Sequence, residues 1–147
     1  MLKLSKKTEY AILAMQYFAS SSDKLVSAKE ISEKLNISFD FLSKTLQALM
    51  RNGLIISHQG TRGGYTLARA PEETTLGDII DALDESSSVV NCTVHNNEPN
   101  CNRIDDCTIR QPMTNIQKKI HDVFYSTTIA EMAVDYKNVP QKIIDLS

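Results

Sequence analysis

Three of the chain's five glycines lie within residues 60–64 (GTRGG), and short apolar runs flank them on both sides. Residues 54–57 (LIIS) precede this stretch and residues 65–67 (YTL) follow it. Two such runs joined by a Gly-rich turn predict a β-hairpin. Glycine lets the turn approach another surface closely, and Arg62 stands at its tip. Three predicted helices come directly before this hairpin. The fold must therefore be one in which a β-hairpin directly follows three helices.

The three helices are predicted from their caps and their apolar spacing. Ser5 can cap the first helix. Ser27 begins the second in a capping-box pattern, and Asn36 tolerates the left-handed conformation of its end. Ser38 can cap the third, which closes at residues 52–53 (NG). The side chains expected to face inward, at three- and four-residue spacing, are Tyr10, Leu13, Ala14, Tyr17, Phe18, Ile31, Leu35, Phe41, Leu42, Thr45, Leu46 and Leu49.

The second and third helices, joined by a tight turn at residues 35–38, form a predicted helix-turn-helix. In that motif the later helix enters the major groove of DNA. A hairpin directly after it is the wing of a winged helix. The sequence therefore predicts a DNA-reading unit over residues 1–70.

Polar residues of the third helix and the wing are the candidate DNA contacts. Lys44 and Arg51 could neutralise phosphates, and Ser43 and Gln47 could meet base edges. Arg62 could enter a narrow minor groove. A solvated helix face and a hairpin without a ligand are the alternatives. The full predicted set is Ser38, Ser43, Lys44, Gln47, Arg51 and Arg62.

Charge is divided unevenly along the chain, although the formal net charge is only −2. Residues 1–70 carry ten Lys and Arg against five Asp and Glu, a balance of +5. Residues 71–147 carry six against thirteen, a balance of −7. A basic front half suits a face presented to a polyanion, although ordinary scatter of surface charge would also produce such a difference.

All three cysteines, Cys92, Cys101 and Cys107, fall within one polar stretch rich in Asn, Pro and Asp. That composition favours a loop. Thiols in a polar loop are badly placed for core packing but well placed to hold a soft metal or an iron–sulfur cluster. The first apolar segment, residues 10–19, is too short and polar for a signal peptide or a membrane span. We therefore expect a cytoplasmic protein, in which an odd number of cysteines makes a structural disulfide the weakest interpretation.

A connecting helix and a long amphipathic helix are predicted on either side of the cysteine loop. Thr75 caps the first, with Ile79, Ile80 and Leu83 facing inward. The second has too little of its own core to cover, so a partner helix from a second subunit is its expected cover. Residues 128–131 (TIAE) open a final short helix. The apolar positions of the long helix are Ile109, Met113, Ile116, Ile120, Val123 and Phe124.

Four segments in order resemble the Rrf-type bacterial winged-helix transcription regulators, a family that includes IscR, NsrR and RirA. The segments are residues 4–11 (LSKKTEYA), 31–38 (ISEKLNIS), 52–54 (NGL) and 60–67 (GTRGGYTL). The resemblance runs to about residue 133. It implies a mainly α fold with a small β-hairpin wing and a long C-terminal dimerisation helix. It also implies a homodimer on double-stranded operator DNA.

The resemblance further implies that Cys92, Cys101 and Cys107 hold an iron–sulfur cluster, [4Fe–4S] or [2Fe–2S]. Where IscR-like proteins place a histidine ligand, this chain has Arg110, which keeps its proton and cannot ligate. NsrR-like proteins use an acidic residue of the first helix, which is Glu9 here. Glu9 is thus the first choice as fourth ligand. An acidic residue favoured by the helix dipole is the alternative reading of Glu9, and the loop histidine His95 is a competing ligand.

We conclude from the sequence that the chain is a dimeric transcription regulator that senses iron, redox state or nitric oxide. A regulator without a cluster, using the cysteines as a thiol switch or as a zinc site with His95, is one alternative. A winged helix that binds protein in an assembly or scaffold factor is another. No phosphate-binding loop, HExxH motif or nucleophile elbow suggests an enzyme. The expected division of the chain is 1–70, the DNA-binding domain; 71–90, the connecting helix; 91–108, the cysteine loop; 109–135, the dimerisation helix region; and 136–147, a tail.

Overall fold

A computed structural model describes residues 3–21, 24–85, 87–90, 101–103 and 105–138, without the side chains of residues 134–138. This part of the chain forms six helices and one antiparallel pair of strands. In chain order the elements are α1 (Lys6–Ser20), α2 (Ala28–Leu35), α3 (Phe39–Arg51), β1 (Ile55–His58), β2 (Gly64–Leu67), a 3-10 turn (Pro71–Glu73), α4 (Leu76–Ala82), α5 (Arg110–Ser126) and α6 (Ile129–Asn138).

The first helix begins as predicted, because the Ser5 hydroxyl accepts a hydrogen bond from the Thr8 backbone N–H at 3.1 Å. Its buried face is rotated from the predicted one. Tyr10, Leu13 and Tyr17 are only half-buried, and the Tyr17 hydroxyl stays at the surface, where it donates to Glu30 at 2.8 Å. Ala14 and Phe18 are buried as predicted, and the rest of the buried face consists of Thr8, Ala11 and Met15.

The helix-turn-helix follows the predicted order with two local differences. Asn36 ends α2 in the left-handed conformation, at φ 52° and ψ 48°, as predicted. Ser38 occupies the N-cap position of α3, but within the described chain its side chain makes no capping hydrogen bond. Phe41, expected to face inward, is 38% exposed. It lies at the edge of the buried stripe, where its ring meets the ring of Tyr10 edge-on with centroids 5.5 Å apart.

The hairpin pairs Ile55 with Leu67 and His58 with Gly64, one residue beyond the predicted strands at the turn. The segment between α1 and α2 is attached to this hairpin, because Val26 and Tyr65 exchange two backbone hydrogen bonds of 3.1 and 2.8 Å. A Cβ atom at Gly64 would stand 2.9 Å from the Val26 carbonyl oxygen. This glycine is therefore required for the wing to lie against the helical body.

The connecting helix α4 begins with the predicted Thr75, in a complete capping box with Asp78. Ile79, Ile80 and Leu83 are buried as predicted. The start of α4 is also joined to the far end of the chain, since the Leu76 N–H donates to the Thr127 carbonyl at 2.9 Å. The connecting helix is thus fixed both to the DNA-reading unit and to the C-terminal helices.

The last two helices differ in their surroundings. No residue of α5, which the structure describes in full, is buried, whereas Ile129 of α6 is completely buried. Gln16 of α1 donates its side-chain N–H to the Met132 carbonyl of α6 at 2.8 Å. Helix α6 extends to Asn138, into the stretch expected to be a tail, and residues 139–147 lie outside the described part. None of the described helices is long and apolar enough to cross a bilayer.

Candidate nucleic-acid interface and cysteine loop

The outer face of α3 carries most of the predicted DNA contacts. Lys44, Gln47 and Arg51 are exposed, and so is Ser38 just before the helix. Ser43 is half-buried, because it lies nearer the packed side. The opposite side of α3 is anchored by a fully or nearly fully buried row, which consists of Leu42, Thr45, Leu46 and Leu49. Core packing therefore holds the polar face outward.

The wing places Arg62 at an exposed tip. The turn is tight, because the Gly63 N–H donates to the Gly60 carbonyl at 3.1 Å. Gly60 has φ 129°, a value that L side chains rarely adopt. This conformation keeps the tip narrow and leaves the guanidinium of Arg62 in solvent. The arrangement suits a cation that approaches a phosphate or a minor groove.

Two aromatic side chains of α3 were not among the predicted contacts. Phe39, the first residue of the helix, is 51% exposed, and Phe41 is 38% exposed. Helical spacing predicts Phe41 on the inner face, and Phe39 is in neither the predicted core nor the predicted set of DNA contacts. Helical spacing could have identified Phe39 as a candidate contact, because it lies one turn before Ser43 and two turns before Gln47 on the same side of α3.

The proposed fourth ligand, Glu9, lies in the first turn of α1 at the surface. Its carboxylate accepts a hydrogen bond from Lys6 Nζ at 2.7 Å. This hydrogen bond, with the charge of Glu9, raises the pKa of Lys6 above its ordinary value. The pair is exposed, so it is easily exchanged for other partners. Glu9 is therefore available to a ligand that approaches from outside the subunit.

The end of α4 is bound to the DNA-reading unit by a carboxylate. Glu85 accepts hydrogen bonds from Ser5 Oγ at 2.5 Å and from Thr8 Oγ1 at 3.0 Å. The Asn52 side chain, at the end of α3, donates to the Ala82 carbonyl at 3.1 Å. The segment that enters the cysteine loop thus starts from a point fixed to both α1 and α3.

The segment after Glu85 is also tied to α5. Val89 N–H donates to Gln117 Oε1 at 2.7 Å, and Gln117 Nε2 donates to the Ser87 carbonyl at 3.1 Å. The segment that precedes the cysteine loop is therefore connected to α1, α4 and α5.

Two of the three predicted cysteine ligands lie in the described part of the chain. Cys101 is exposed, Cys107 is half-buried, and both are free thiols. Cys107 borders an open cavity of about 660 Å³ together with Asp106 and Arg110. Cys92 and His95 lie outside the described residues. Within the residues that the structure covers, no three His, Cys, Asp or Glu side chains come together as a metal site, so one subunit does not bring Cys101, Cys107 and Glu9 together.

Helix α5 and Ile109, the residue just before it, expose a regular apolar stripe. Ile109, Ile116 and Val123 are 59%, 43% and 58% exposed, and each is seven residues from the next. Half-buried Met113 and Ile120 lie between them, so the five positions alternate by four and three residues. This is the a and d spacing of a coiled-coil seam.

The other side of α5 is held against α4 by Tyr125. Its hydroxyl donates a hydrogen bond to the Asp81 carboxylate. Burial, followed by the hydrogen bond and charge of Asp81, raises the pKa of Tyr125 to about 12. The ring covers Gly77, where a Cβ atom would stand 2.6 Å from it. This contact leaves the apolar stripe facing away from the subunit.

Comparison with known proteins agrees with this geometry. Residues 4–135 match the family model described as "Rrf2: Iron-dependent Transcriptional regulator". An HTH-type transcriptional regulator of Aquifex aeolicus is 30% identical over 130 residues, which cover 87% of this chain and 89% of that protein. CymR of B. subtilis, the "Global Cysteine Regulator", shares the mainly helical winged fold of this chain. The TM-score is 0.75 and the identity 30%, and the match covers 91% of this chain and 98% of that one. The same fold is also shared by T. potens IscR at TM-score 0.72 and 32% identity, covering 92% and 88%. The chain belongs to the Rrf2 family of winged-helix transcription regulators.

Proposed function

We propose that the protein is a homodimeric regulator whose affinity for operator DNA is set by an iron–sulfur cluster bound at Cys92, Cys101 and Cys107. The observation that supports the proposal is the attachment of the segment that precedes the cysteine loop. This segment begins at Glu85, which is hydrogen-bonded to Ser5 and Thr8 at the start of α1. A loop rooted there can act on the reading unit without contacting DNA itself.

The DNA side of the proposal rests on α3 and the wing. Lys44, Arg51 and Arg62 are exposed cations on these two elements, suited to phosphates and to the minor groove. Exposed Gln47 and half-buried Ser43 offer hydrogen-bonding groups to base edges. Exposed Ser38 stands at the end of α3 that meets the groove first.

The apolar stripe of α5 supports the proposed dimer. Its a and d spacing fits a second copy of the same helix, because a seam of this kind is covered by another seam. A twofold dimer also places two reading heads on two half-sites about one helical turn of DNA apart. The same stripe on both subunits makes the contact self-complementary.

The chemistry of the candidate ligands supports the proposed cluster. Cys101 and Cys107 are free thiols, and thiolates are the usual ligands of iron–sulfur clusters. We propose that Glu9 of the second subunit completes the set, after leaving its surface partner Lys6. A bound cluster would supply a group sensitive to oxidants, nitric oxide and iron supply. Its nuclearity, [4Fe–4S] or [2Fe–2S], is decided by the iron and sulfide counts.

Binding or loss of the cluster would then change the affinity for operator DNA through the position of the two reading heads. With the loop of one subunit bound to α1 of the other, the angle between the two reading heads is fixed. Release of the loop would free that angle and alter the separation of the two α3 helices. Such coupling requires that the two states bind DNA with different affinity.

The test combines metal analysis with DNA binding. Protein purified without oxygen should contain iron and acid-labile sulfide in matched amounts and a visible charge-transfer band. Cys101→Ala and Cys107→Ala should lose both, and Thr108→Ala, an exposed neighbour, should retain them. The operator affinity of the cysteine variants should equal that of the apo protein. Wild-type protein with neither iron nor sulfide after reconstitution would contradict the cluster.

A thiol or zinc switch is the second candidate, and the exposed free thiol of Cys101 favours it. It predicts either one zinc per subunit, with His95 as a ligand, or a DNA affinity that a thiol oxidant changes and a reductant restores. Cys101→Ser would remove the response in both cases. The scaffold alternative is tested by salt, because a DNA-binding head loses affinity for duplex DNA as salt rises.

A further inference from the structure

We propose that Phe39 reads the 5-methyl group of a thymine in the operator, as a specificity-determining residue of the DNA interface. This inference rests on the proposed DNA binding by α3. Phe39 is the first residue of that helix, and its side chain is 51% exposed. In a helix-turn-helix the first residues of the later helix are those that meet base edges.

The position of Phe39 on α3 supports this role. At about 100° per residue, Phe39, Ser43 and Gln47 form one row along the helix, each one turn after the last. This row is uncharged. The neighbouring row carries Lys44 and Arg51, whose charges suit phosphates. Phe39 thus extends the row of candidate base contacts to the end of the helix that enters the groove.

The chemistry of the major groove offers one apolar group to such a side chain. Thymine alone among the four bases presents a methyl group there, and Phe is among the residues that contact it. Contact with a methyl group also removes from water an aromatic surface that the free protein leaves exposed. Phe41 is a weaker candidate, since it lies further around the helix and its ring already contacts Tyr10.

The experiment compares thymine with deoxyuridine, which lacks only the methyl group. The probe is the tightest duplex that the wild-type protein selects from a random-sequence pool, resynthesised with deoxyuridine at one thymine at a time. Wild-type protein should lose affinity about fourfold at one thymine in each half-site, the amount expected for one buried methyl group. Phe39→Ala should bind the thymine and deoxyuridine duplexes equally. Phe39→Leu, which keeps an apolar side chain, should restore part of the difference.

Two controls separate this role from others. Phe41→Ala should keep the thymine preference of the wild-type protein. The salt dependence of Phe39→Ala should be unchanged, because no phosphate contact is removed. Equal affinity of wild-type protein for every thymine and deoxyuridine duplex would overturn the proposal. A Phe39→Ala variant that loses as much affinity as wild-type protein when thymine is replaced by deoxyuridine would also overturn it. Failure to bind any selected duplex would overturn the proposed function as well, so the two failures are distinguishable.

Discussion

Thr8, a completely buried residue of α1, donates a hydrogen bond from its hydroxyl to Glu85, which lies 77 residues later in the chain, at 3.0 Å. Ser5 donates a second bond to the same carboxylate while it accepts from the Thr8 N–H. One carboxylate thus joins the start of the first helix to the segment that precedes the cysteine loop. Because Thr8 is buried, the loss of Glu85 would leave its hydroxyl, among the described residues, with only the longer hydrogen bond of 3.3 Å to Ser5 Oγ.

Glu85→Ala is therefore expected to lower the free energy of unfolding by about 1.5 to 3 kcal/mol, the range for hydrogen bonds to a charged group. Urea denaturation followed by circular dichroism measures the change. Glu72→Ala is the matched control, because Glu72 is exposed in the 3-10 turn, and it should change stability little. Equal effects of the two substitutions would show that the junction does not contribute to stability.

Gly64→Ala should destabilise the attachment of the wing. The added methyl group would stand 2.9 Å from the carbonyl oxygen of Val26, a backbone atom that cannot move without breaking its bond to Tyr65. We expect a loss of about 1 to 3 kcal/mol, as for other overpacked sites, together with weaker DNA binding. Thermal unfolding and fluorescence anisotropy measure the two effects. Thr61→Ala, at the exposed turn, should preserve stability, and a fully stable Gly64→Ala would contradict the close approach.

Alkaline pH should weaken the contact between α4 and α5. The pKa of Tyr125 is raised to about 12, above the ordinary value of about 10 for an unfolded tyrosine. The stability linked to this shift is complete below the unfolded pKa and is lost as pH rises through the folded one. Phenolate absorbance should show one tyrosine ionising late, and Tyr125→Phe should remove that step. The variant should also lose less stability than wild-type protein over this pH range.

Local signals made much of the fold predictable. Ser5, Asn36 and Thr75 act through the residues next to them, so their places at helix ends follow from sequence alone. Phe41 and Ser38 depend on the rest of the chain. Whether Phe41 is covered is decided by how close α1 comes, and α3 begins without a capping bond from Ser38 in the described structure.

The candidate site was predictable only in part. The exposed cations of α3 follow from helical spacing, and Phe39 could have been found by extending the same spacing backwards. The described part of one subunit keeps Cys101, Cys107 and Glu9 apart, and the proposed ligand set spans two subunits, a relation that a single sequence does not encode locally. The Glu85 junction was not predicted, since hydrogen bonds between distant segments leave no periodic signal in the sequence.

Disruption of the α5 stripe provides the most direct test of the dimer. Ile116 lies at the centre of the stripe and is 43% exposed in the single subunit, so Ile116→Glu should not disturb the fold of the monomer. In the dimer it would place two carboxylates against an apolar seam, where an unpaired charge is costly. We expect a dimer for the wild-type protein and a monomer for the variant by analytical ultracentrifugation. Affinity for a two-half-site duplex should fall at least tenfold, because each head then binds alone.

The control for that substitution is the next residue along the helix. Asn115→Glu adds the same charge at an exposed position outside the a and d spacing, so it should remain a dimer and keep its affinity. The cluster offers a second readout. If Glu9 of the second subunit completes the ligand set, Ile116→Glu should also lose iron and sulfide even though its three cysteines are intact. A monomeric variant that retains a full cluster would place all the ligands within one subunit and remove Glu9 of the second subunit from the proposal.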